Sequence, residues 1–457
     1  MTTLPNPLLA GACVLSTVEA RRVAVATPVA ADTTVALTET ASGTVRYYSD
    51  AACSVPATST KIVAGQTTAD FYMKPLTGGS TTQTATAPFG SVARMMTIIG
   101  AVRRTNCTFA SPVGLPDGGT TEGLSSFCSI SPAHQNMAHT ALFYQATTSS
   151  SSAGTASVRC RLTSTSGVSC NRNVGASSGT VHVETIELPV GFRVERLAGT
   201  CSGHLFNGTL PAAVNPASSF LLKAYSTPSS TVDDDDLLTV ELTSSTTLGF
   251  EIGAPTVSCN GGSYEVQAVE LSGISVTRGT EDGGLPIATA SKLVSGLSAT
   301  SLNTALLTQH TVADATGDPI CNVLVRSEMP SSSSINFTRA NGATGTCLAL
   351  PIYRLNWERI DFGARGSVQT RTVTMPIGTS MLPVTITAVD TSRTLVFASS
   401  QAGSGQSDGE SSHSGSGSYL GEGNARFELS SSTIVNVIRQ RSSGAAVFTF
   451  YVVELDP

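Results

Sequence analysis

The chain has 457 residues, of which 40% are apolar, 13% charged and 5% aromatic, and its formal net charge is −6. This length suits on the order of three to five domains, and the apolar share is too high for a disordered chain. The acidic balance, without a basic stripe, excludes the electrostatic footprint of a nucleic-acid-binding protein. No stretch approaches the roughly 20 apolar residues of a membrane-spanning helix.

Residues 1–91 are predicted to form a small β-sandwich, because short alternating strands are separated by turn residues at a spacing of about 8–12 residues. Three segments carry features of a known family: Thr44–Cys53, Ile62–Gln66 and Ala69–Met73. The region resembles the bacterial Ig-like repeats of cell-surface proteins. That resemblance implies a spacer or adhesive module at a bacterial surface. The first residues lack the charged start and apolar core of a signal peptide, so we expect export by another route or earlier removal of the signal.

From residue 92 onward the chain repeats one pattern four times, and the predicted units are 92–190, 191–274, 275–356 and 357–457. Each unit closes with a short apolar phrase ending in leucine: Thr185–Leu188, Ala268–Leu271, Ile352–Leu355 and Val452–Leu455. An opening phrase with arginine follows the first three: Val194–Leu197, Val276–Arg278 and Trp357–Ile360. A phrase at a fixed interval indicates one unit copied in tandem. The predicted fold is all-β, an N-terminal Ig-like sandwich followed by four tandem antiparallel β-sandwich repeats.

The joints between units are very short, so the sequence predicts a fairly rigid rod or a block of paired units. The closing acids Glu187, Glu270 and Glu454 recur together with the opening arginines Arg196, Arg278 and Arg359. Recurrence in each unit favours a structural ion pair or cap over catalysis. The third unit departs from the pattern, with Arg354 where the others have glutamate.

The ten cysteines fall into local pairs, which are Cys13/Cys53, Cys107/Cys128, Cys160/Cys170, Cys201/Cys259 and Cys321/Cys347. No CxxC motif occurs and no histidine is interleaved with them, which argues against zinc. The even count favours five disulfides and an oxidising compartment. The alternative is ten free thiols in a cytosolic protein.

Few segments are candidates for chemistry. The run Asp233, Asp234, Asp235 and Asp236 is either a solvated turn or a Ca²⁺ site, and no other cofactor is predicted. The segment Gly405–Gly409 matches the nucleophile-elbow pattern of serine hydrolases, but its flanks lack the required strand and helix. No histidine pair has the spacing of a metal site. The sequence therefore predicts that the protein is not an enzyme.

The final strand of each unit follows a polar hairpin and carries aromatic residues, as in Val447–Leu455. In this the repeat resembles the H-type lectin sandwich, which implies carbohydrate binding. The last strand is also predicted to pair with another protomer through its apolar residues, Phe448, Phe450, Tyr451, Val453 and Leu455.

We therefore predict a non-enzymatic extracellular structural or adhesive protein of a bacterial surface, a stalk or fibre subunit that associates with itself or with other surface proteins. One alternative is a lectin-like repeat array that binds glycans. Another is a phage fibre or decoration protein. No nucleic-acid partner and no membrane span are predicted.

Overall fold

The computed structural model describes residues 8–40, 44–76, 79–109, 125–149, 158–172, 178–188, 192–226, 238–252, 259–285, 291–313, 325–339, 352–398, 410–413 and 424–455. Within them, helical structure is limited to short 3₁₀ turns such as Met137–His139. None of the helices in this described part is long and apolar enough to cross a membrane. The all-β class predicted from the sequence is confirmed.

The N-terminal domain packs a five-stranded sheet against a three-stranded sheet. Its strands are β1 (Leu8–Leu9), β2 (Val14–Glu19), β3 (Arg21–Arg22), β4 (Val25–Ala26), β5 (Thr33–Glu39), β6 (Val45–Tyr48), β7 (Ser59–Ile62), β8 (Thr68–Pro75), β9 (Gly79–Ala87) and β10 (Gly90–Ile99). The sheet orders are β1-β10-β9-β5-β7 and β2-β8-β6, with β3 and β4 forming a separate hairpin. The predicted boundary at residue 91 falls inside β10 and is therefore wrong. Because β10 pairs with β9 and β1, the domain extends to Ile99.

Four units follow, each with a common set of strands. Unit 1 contains β11 (Arg103–Phe109), β12 (Ser125–Ser129), β13 (Thr140–Thr148), β14 (Arg159–Ser164), β15 (Gly167–Asn171) and β16 (Gly179–Glu187). Unit 2 contains β17 (Phe192–Gly203), β18 (Leu205–Thr209), β19 (Ser219–Ser226), β20 (Leu238–Leu242), β21 (Thr247–Ile252) and β22 (Cys259–Leu271). Unit 3 contains β23 (Ser275–Leu285), β24 (Ser291–Val294), β25 (Ala305–Ala313), β26 (Val325–Ser331), β27 (Ser334–Arg339) and β28 (Ile352–Asp361). Unit 4 contains β29 (Gly366–Met375), β30 (Met381–Thr385), β31 (Thr394–Phe397), β32 (Glu410–His413), β33 (Arg426–Ser431), β34 (Ile434–Ile438) and β35 (Ala446–Leu455).

Every unit is a sandwich of two small antiparallel sheets. The inner sheet contains the opening, closing and third strands, with the closing strand in the middle (β11-β16-β13, β17-β22-β19, β23-β28-β25 and β29-β35-β31). The outer sheet is formed by the remaining three strands (β12-β15-β14, β18-β21-β20, β24-β27-β26 and β30-β34-β33), and β32 adds to the inner sheet of unit 4. In unit 2, Tyr225 and Val266 of the inner sheet pack against Val240 and Phe250 of the outer sheet. This arrangement is the predicted series of tandem β-sandwich repeats.

The inner sheets also share a second core, because their other faces pack together at the centre of the four units. Phe143, Phe220, Trp357 and Phe397, one from each unit, belong to this cluster. Burying an aromatic side chain of this size stabilises the fold by about 1.5–3 kcal/mol. Strands such as β13 are therefore buried on both faces, which accounts for the apolar run Ala141–Tyr144 in place of an alternating pattern.

The four units close on themselves. The rings of Phe143 in unit 1 and Phe397 in unit 4 meet edge to face with centroids 5.7 Å apart, and Gln145 Nε2 donates to the Val396 carbonyl at 2.9 Å. Unit 3 meets unit 4 where Val368 N donates to the Asn303 carbonyl at 2.6 Å. The predicted rod is therefore wrong, since the first and last units are neighbours in a closed ring.

One predicted boundary between units is also wrong. The division at residue 356 cuts β28, which pairs with β23 on one side and β25 on the other. Unit 4 opens instead with β29. The divisions at residues 190 and 274 fall between strands.

The final strand is not an edge. β35 lies in the middle of its sheet, paired with β29 on one side and with β31 and β32 on the other. Its apolar side chains are buried: Phe448, Phe450, Tyr451, Val453 and Leu455. The prediction that this strand pairs with another protomer is therefore wrong, because both of its hydrogen-bonding sides are occupied within the chain.

Candidate binding pocket at the joint of units 2 and 3

The strand register defines equivalent positions in the four units. An acidic residue near the end of each closing strand faces the start of the third strand, and these residues are Glu187, Glu270, Asp361 and Glu454. Asp361 is therefore the unit 3 equivalent of the closing glutamates, and the placement of Arg354 there was wrong. Arg354 and Arg359 both lie inside β28, because this strand carries two apolar phrases in succession and the sequence interpretation divided it between units.

At three joints, an arginine of the opening strand donates hydrogen bonds to backbone carbonyls of the preceding unit, which for unit 1 is unit 4 of the ring. Arg196 Nη1 donates to the Met137 carbonyl at 2.8 Å, and Arg278 Nη1 donates to the Pro216 carbonyl at 2.5 Å. Arg104 of unit 1 donates to the Thr391 carbonyl of unit 4 at 2.9 Å. These arginines therefore make structural contacts at the joints, with Arg104 as the third member. The predicted pairing with the closing glutamates is not the one observed, because Arg278 pairs with Glu358 and Glu270 pairs with Arg193.

The partner of each arginine on the closing strand binds the backbone of the same neighbour. The carboxylate of Glu184 accepts hydrogen bonds from Arg104 Nε at 2.7 Å and from Val396 N at 2.9 Å. The equivalent Gln267 and Glu358 accept from Leu142 N and Leu221 N. These contacts cover the outer edge of the neighbour's third strand, which would otherwise expose unpaired backbone groups.

Burial opposes ionisation of these carboxyl groups, and their surroundings decide the outcome. At Glu184 the Arg104 guanidinium, the nearby His182 ring and the hydrogen bond from Val396 N outweigh burial, so the pKa lies below its usual value. At Glu358 burial prevails over Arg278 and raises the pKa. In unit 4 the two positions hold Thr370 and Tyr451, so the joint between units 3 and 4 lacks this ion pair.

A second layer of each joint lies on the outer sheets. The fourth strand, counted without the additional strand β32 of unit 4, is β14, β20, β26 or β33. It presents two residues toward the next unit, and in chain order these pairs are Arg159 and Arg161, Thr239 and Glu241, Arg326 and Glu328, and Arg426 and Glu428. Arg326 and Glu328 form an ion pair of 2.5 Å, and Arg426 and Glu428 form one of 2.7 Å. Unit 2 differs because threonine occupies the arginine position.

The neighbouring position on the fifth strand differs in the same unit. Ser169, Asn336 and Asn436 occupy it in units 1, 3 and 4, whereas unit 2 has Gly249. Gly249 lies between Asn207 and Glu241 in the register. Unit 2 therefore has small residues, Thr239 and Gly249, at two positions where units 3 and 4 have an arginine and an asparagine.

A pocket of about 290 Å³ occupies the space that is left. Its floor is the outward face of the unit 2 outer sheet, and its wall is the closing strand of unit 3. The residues that matter for its chemistry are Asn207, Thr239, Glu241, Glu251, Arg354 and Asn356.

The charged groups of the pocket are two carboxylates and one guanidinium. Glu251 forms an ion pair of 2.5 Å with Arg354, while Glu241 has no ion pair among the described residues. Asn356 is only 6% exposed, and its buried Oδ1 has no hydrogen-bond partner within the described part of the chain. A buried acceptor without a partner lowers the stability of the fold by about 1–3 kcal/mol. A ligand that donates a hydrogen bond to this oxygen would remove that penalty.

The predicted disulfides are placed as follows. The bonds Cys13–Cys53, Cys107–Cys128 and Cys160–Cys170 match three of the predicted pairs. Cys201 is also disulfide-bonded, and the proposed partner Cys259 lies on the strand beside it, although its side chain lies outside the described residues. Cys321 and Cys347 fall outside the described residues.

The other candidates from the sequence are placed as follows. Asp233, Asp234, Asp235 and Asp236 lie outside the described residues, as does Gly405–Gly409. His134 bonds Thr185 Oγ1 at 2.8 Å, and His182 bonds Asn106 Oδ1 at 2.8 Å. Among the described residues, no group of three His, Cys, Asp or Glu side chains is arranged to hold a metal ion.

The pocket residues were not predicted as a site. A signal was nevertheless present, because aligning the four hairpin strands shows threonine at residue 239 where the others have arginine. What the sequence could not show is that Arg354 and Asn356, over a hundred positions further along the chain, complete the wall.

Comparison with known proteins identifies no family. No family model matches the chain, and no curated protein matches it. A structural match is the crystal structure of the N-terminal eight Ig domains of Down Syndrome Cell Adhesion Molecule isoform 1.30.30, at 9% identity and a TM-score of 0.15. The match covers 99% of this chain and 58% of that one, so this chain spans less than two thirds of its length. These comparisons return no family match for the bacterial Ig-like resemblance or for the H-type lectin resemblance.

Proposed function

We propose that this protein is a non-enzymatic extracellular adhesive protein that holds a ligand in the pocket between units 2 and 3. The observation that carries the proposal is the pocket itself. Three joints fill the equivalent space with an arginine of the fourth strand, whereas this joint leaves about 290 Å³ lined by Glu241, Glu251, Arg354 and Asn356, among others. The closed ring would serve as its rigid scaffold.

The lining supports binding rather than catalysis. Its charged groups are Glu241, Glu251 and Arg354, and Glu251 is already engaged by Arg354. Within the described lining, no nucleophile is hydrogen-bonded to a base, which is the arrangement that covalent catalysis requires. Groups that accept hydrogen bonds without a reactive partner suit recognition.

Three disulfides support an oxidising location outside the cell. The N-terminal Ig-like sandwich would act as the spacer that carries the ring away from a bacterial surface. A stalk or fibre subunit has less support, because the ring is closed and β35 has no open edge.

A lectin-like array also has less support. Avidity from repeats requires similar sites in several units. In the described parts of units 1, 3 and 4 the equivalent space contains Arg159, Arg326 and Arg426. The pocket is thus a feature of one joint and not of the repeat.

The test measures whether the protein is exposed on the cell surface and whether it mediates adhesion. We expect a protease added to intact source cells to cleave the protein. Beads coated with the wild-type protein should adhere to cells or extracellular material, and Thr239→Arg should abolish adhesion by refilling the pocket. Thr209→Arg is the matched control, because Thr209 is exposed on the same sheet outside the pocket. A protease-protected protein, or equal adhesion by the wild type and Thr239→Arg, would refute the proposal.

A further inference from the structure

We infer that the pocket between units 2 and 3 binds the guanidinium group of an arginine side chain presented by a partner protein. This inference rests on the proposed function, since it names the chemistry of the ligand at the same site. Its basis is an internal comparison. The same place in the other three joints is occupied by an arginine of this chain.

The steric argument comes from unit 3. Its fourth-strand Arg326 extends over the outer sheet, pairs with Glu328 at 2.5 Å, and donates through Nη1 to Thr449 Oγ1 of unit 4 at 3.4 Å. Arg426 of unit 4 reaches unit 1 in a similar way, donating to Thr147 Oγ1 at 3.2 Å. The side chain of Thr239 is shorter than those of Arg326 and Arg426 at the equivalent positions. The pocket therefore lies where the guanidinium and methylene groups of an arginine would lie.

The charge argument uses the same register. Glu241 is equivalent to Glu328 and Glu428, each of which has an arginine partner on its own strand. Glu241 has lost that partner, because position 239 is threonine. Unit 2 adds a further carboxylate, Glu251, where units 3 and 4 have Thr338 and Ile438.

Arg354 neutralises one of these two carboxylates and leaves the other. Its Nη1 lies 2.5 Å from Glu251 Oε2. Within the described lining, the pocket therefore carries an excess of one negative charge, and a monovalent cation restores the balance found in units 3 and 4. A charge-assisted bond to a carboxylate is about twice as strong as a neutral one.

The hydrogen-bonding argument uses Asn356. It is equivalent to Thr449, because the two stand at the same distance before the closing acids Asp361 and Glu454. Thr449 accepts the bond from Arg326, whereas the buried Oδ1 of Asn356 has no partner among the described residues. A guanidinium in the pocket would supply N–H donors to Asn356 and Glu241 together.

Guanidinium is favoured over ammonium by geometry. Its planar fork offers several donors in fixed directions, whereas an ammonium is a compact, strongly hydrated point charge. The acceptors here are on different strands of two units, so a flat group with donors on several sides fits the arrangement that Arg326 shows in unit 3.

The experiment compares two probes that differ only in the charged group. N-acetyl-arginine amide and N-acetyl-citrulline amide are titrated into the full chain by calorimetry. We expect the arginine probe to bind with a dissociation constant of about 1 mM or tighter, and the neutral citrulline probe to bind at least about tenfold more weakly. Added salt should weaken the arginine probe, because part of its affinity is electrostatic.

Three variants locate the site. Glu241→Gln should weaken arginine binding at least about tenfold, and Thr239→Arg should abolish it, while Thr209→Arg should leave it unchanged. Thermal unfolding of each variant checks that it is folded. Thr239→Arg should be at least as stable as the wild type, because it restores the ion pair of units 3 and 4.

Some results would overturn the inference. These are absent binding of the arginine probe, equal binding of arginine and citrulline, or preferred binding of glucosamine or a lysine amide. If the arginine probe fails while beads still adhere and Thr239→Arg still abolishes adhesion, the ligand assignment fails and the proposed function stands. If adhesion is independent of Thr239, the proposed function fails as well.

Discussion

Arg104 of unit 1 donates a hydrogen bond at 2.9 Å to the carbonyl of Thr391 in unit 4, although the two residues are 287 positions apart. The same guanidinium pairs with Glu184 at 2.7 Å. Arg196 and Arg278 make the corresponding contacts between units that are neighbours in sequence. The joint that closes the ring is therefore built like two of the joints along the chain.

This relationship predicts that Arg104→Ala opens the ring. The substitution leaves Glu184, which is 2% exposed, as a buried charge without its partner. Such losses cost about 3–5 kcal/mol. We expect a lower urea midpoint, and faster hydrogen exchange at Val396 N, which Glu184 holds. Arg371→Ala is the control, because Arg371 donates to Thr370 of its own strand, and we expect it to cost about 1 kcal/mol or less. Equal effects of the two variants would contradict the role of Arg104.

A second prediction concerns a close approach between two residues of the unit 3 inner sheet. Gly279 faces Trp357 across β23 and β28, and a β-carbon at residue 279 would overlap the indole ring. Gly199 faces Tyr264 in the same way in unit 2. We expect Gly279→Ala to cost about 1–3 kcal/mol through overpacking.

A double-variant cycle distinguishes overpacking from a backbone effect. In a Trp357→Leu background the added methyl group meets a smaller side chain, so Gly279→Ala should cost less than in the wild type. Urea unfolding followed by circular dichroism gives the free energy of unfolding of the wild type, the two single variants and the double variant. An unchanged cost in the Trp357→Leu background would show that the indole ring is not the obstacle.

The third prediction concerns disulfide connectivity. Cys170 Sγ lies 3.9 Å from Cys107 Sγ, although their partners are Cys160 and Cys128. Peptide mapping without reduction should recover Cys107–Cys128 and Cys160–Cys170 as separate crosslinks. It should also recover Cys201 joined to Cys259, and Cys321 to Cys347. A crosslink between Cys107 and Cys170 would contradict the first two assignments.

The sequence predicts the individual β-sandwiches better than it predicts how the four units are arranged in space. Strand alternation and the repeated phrases indicate the sandwiches, because these patterns are local. Closure of the ring is not local, since Gln145 and Val396, which are hydrogen-bonded, lie 251 positions apart with units 2 and 3 between them in the chain. The apolar run Ala141–Tyr144 in β13 is consistent with burial on both faces, but sequence does not say what covers the second face.

The pocket was hidden for a related reason. The substitution of threonine for arginine at residue 239 is visible in the sequence, but its meaning depends on register. The two apolar phrases within β28 shifted the unit boundary, and this shift placed Arg354 at the position that Asp361 occupies. Only the strand pairing aligns Asn356 with Thr449 and shows that the threonine leaves a partner unfilled.

The last prediction is a pH dependence at the joint of units 1 and 2. Glu265, the unit 2 equivalent of Asn356, is 5% exposed. Burial raises its pKa to about 7, against the opposing effect of Arg196, Arg159 and Arg161. The folded pKa lies above the ordinary value of 4.5, so the folded protein binds the proton more tightly than the unfolded chain. The stabilising contribution is therefore complete below pH 4.5 and is lost as the pH rises through about 7.

This shift limits the loss to about 3 kcal/mol. Urea unfolding at about pH 5 and pH 8, on either side of this transition, should show that the wild type loses more stability with rising pH than Glu265→Gln, because the amide remains neutral at both values. Glu195→Gln on the adjacent opening strand is the control, and it should keep the pH dependence of the wild type. If Glu265→Gln also keeps that dependence, another group titrates in this range and Glu265 is ionised throughout by its three arginines.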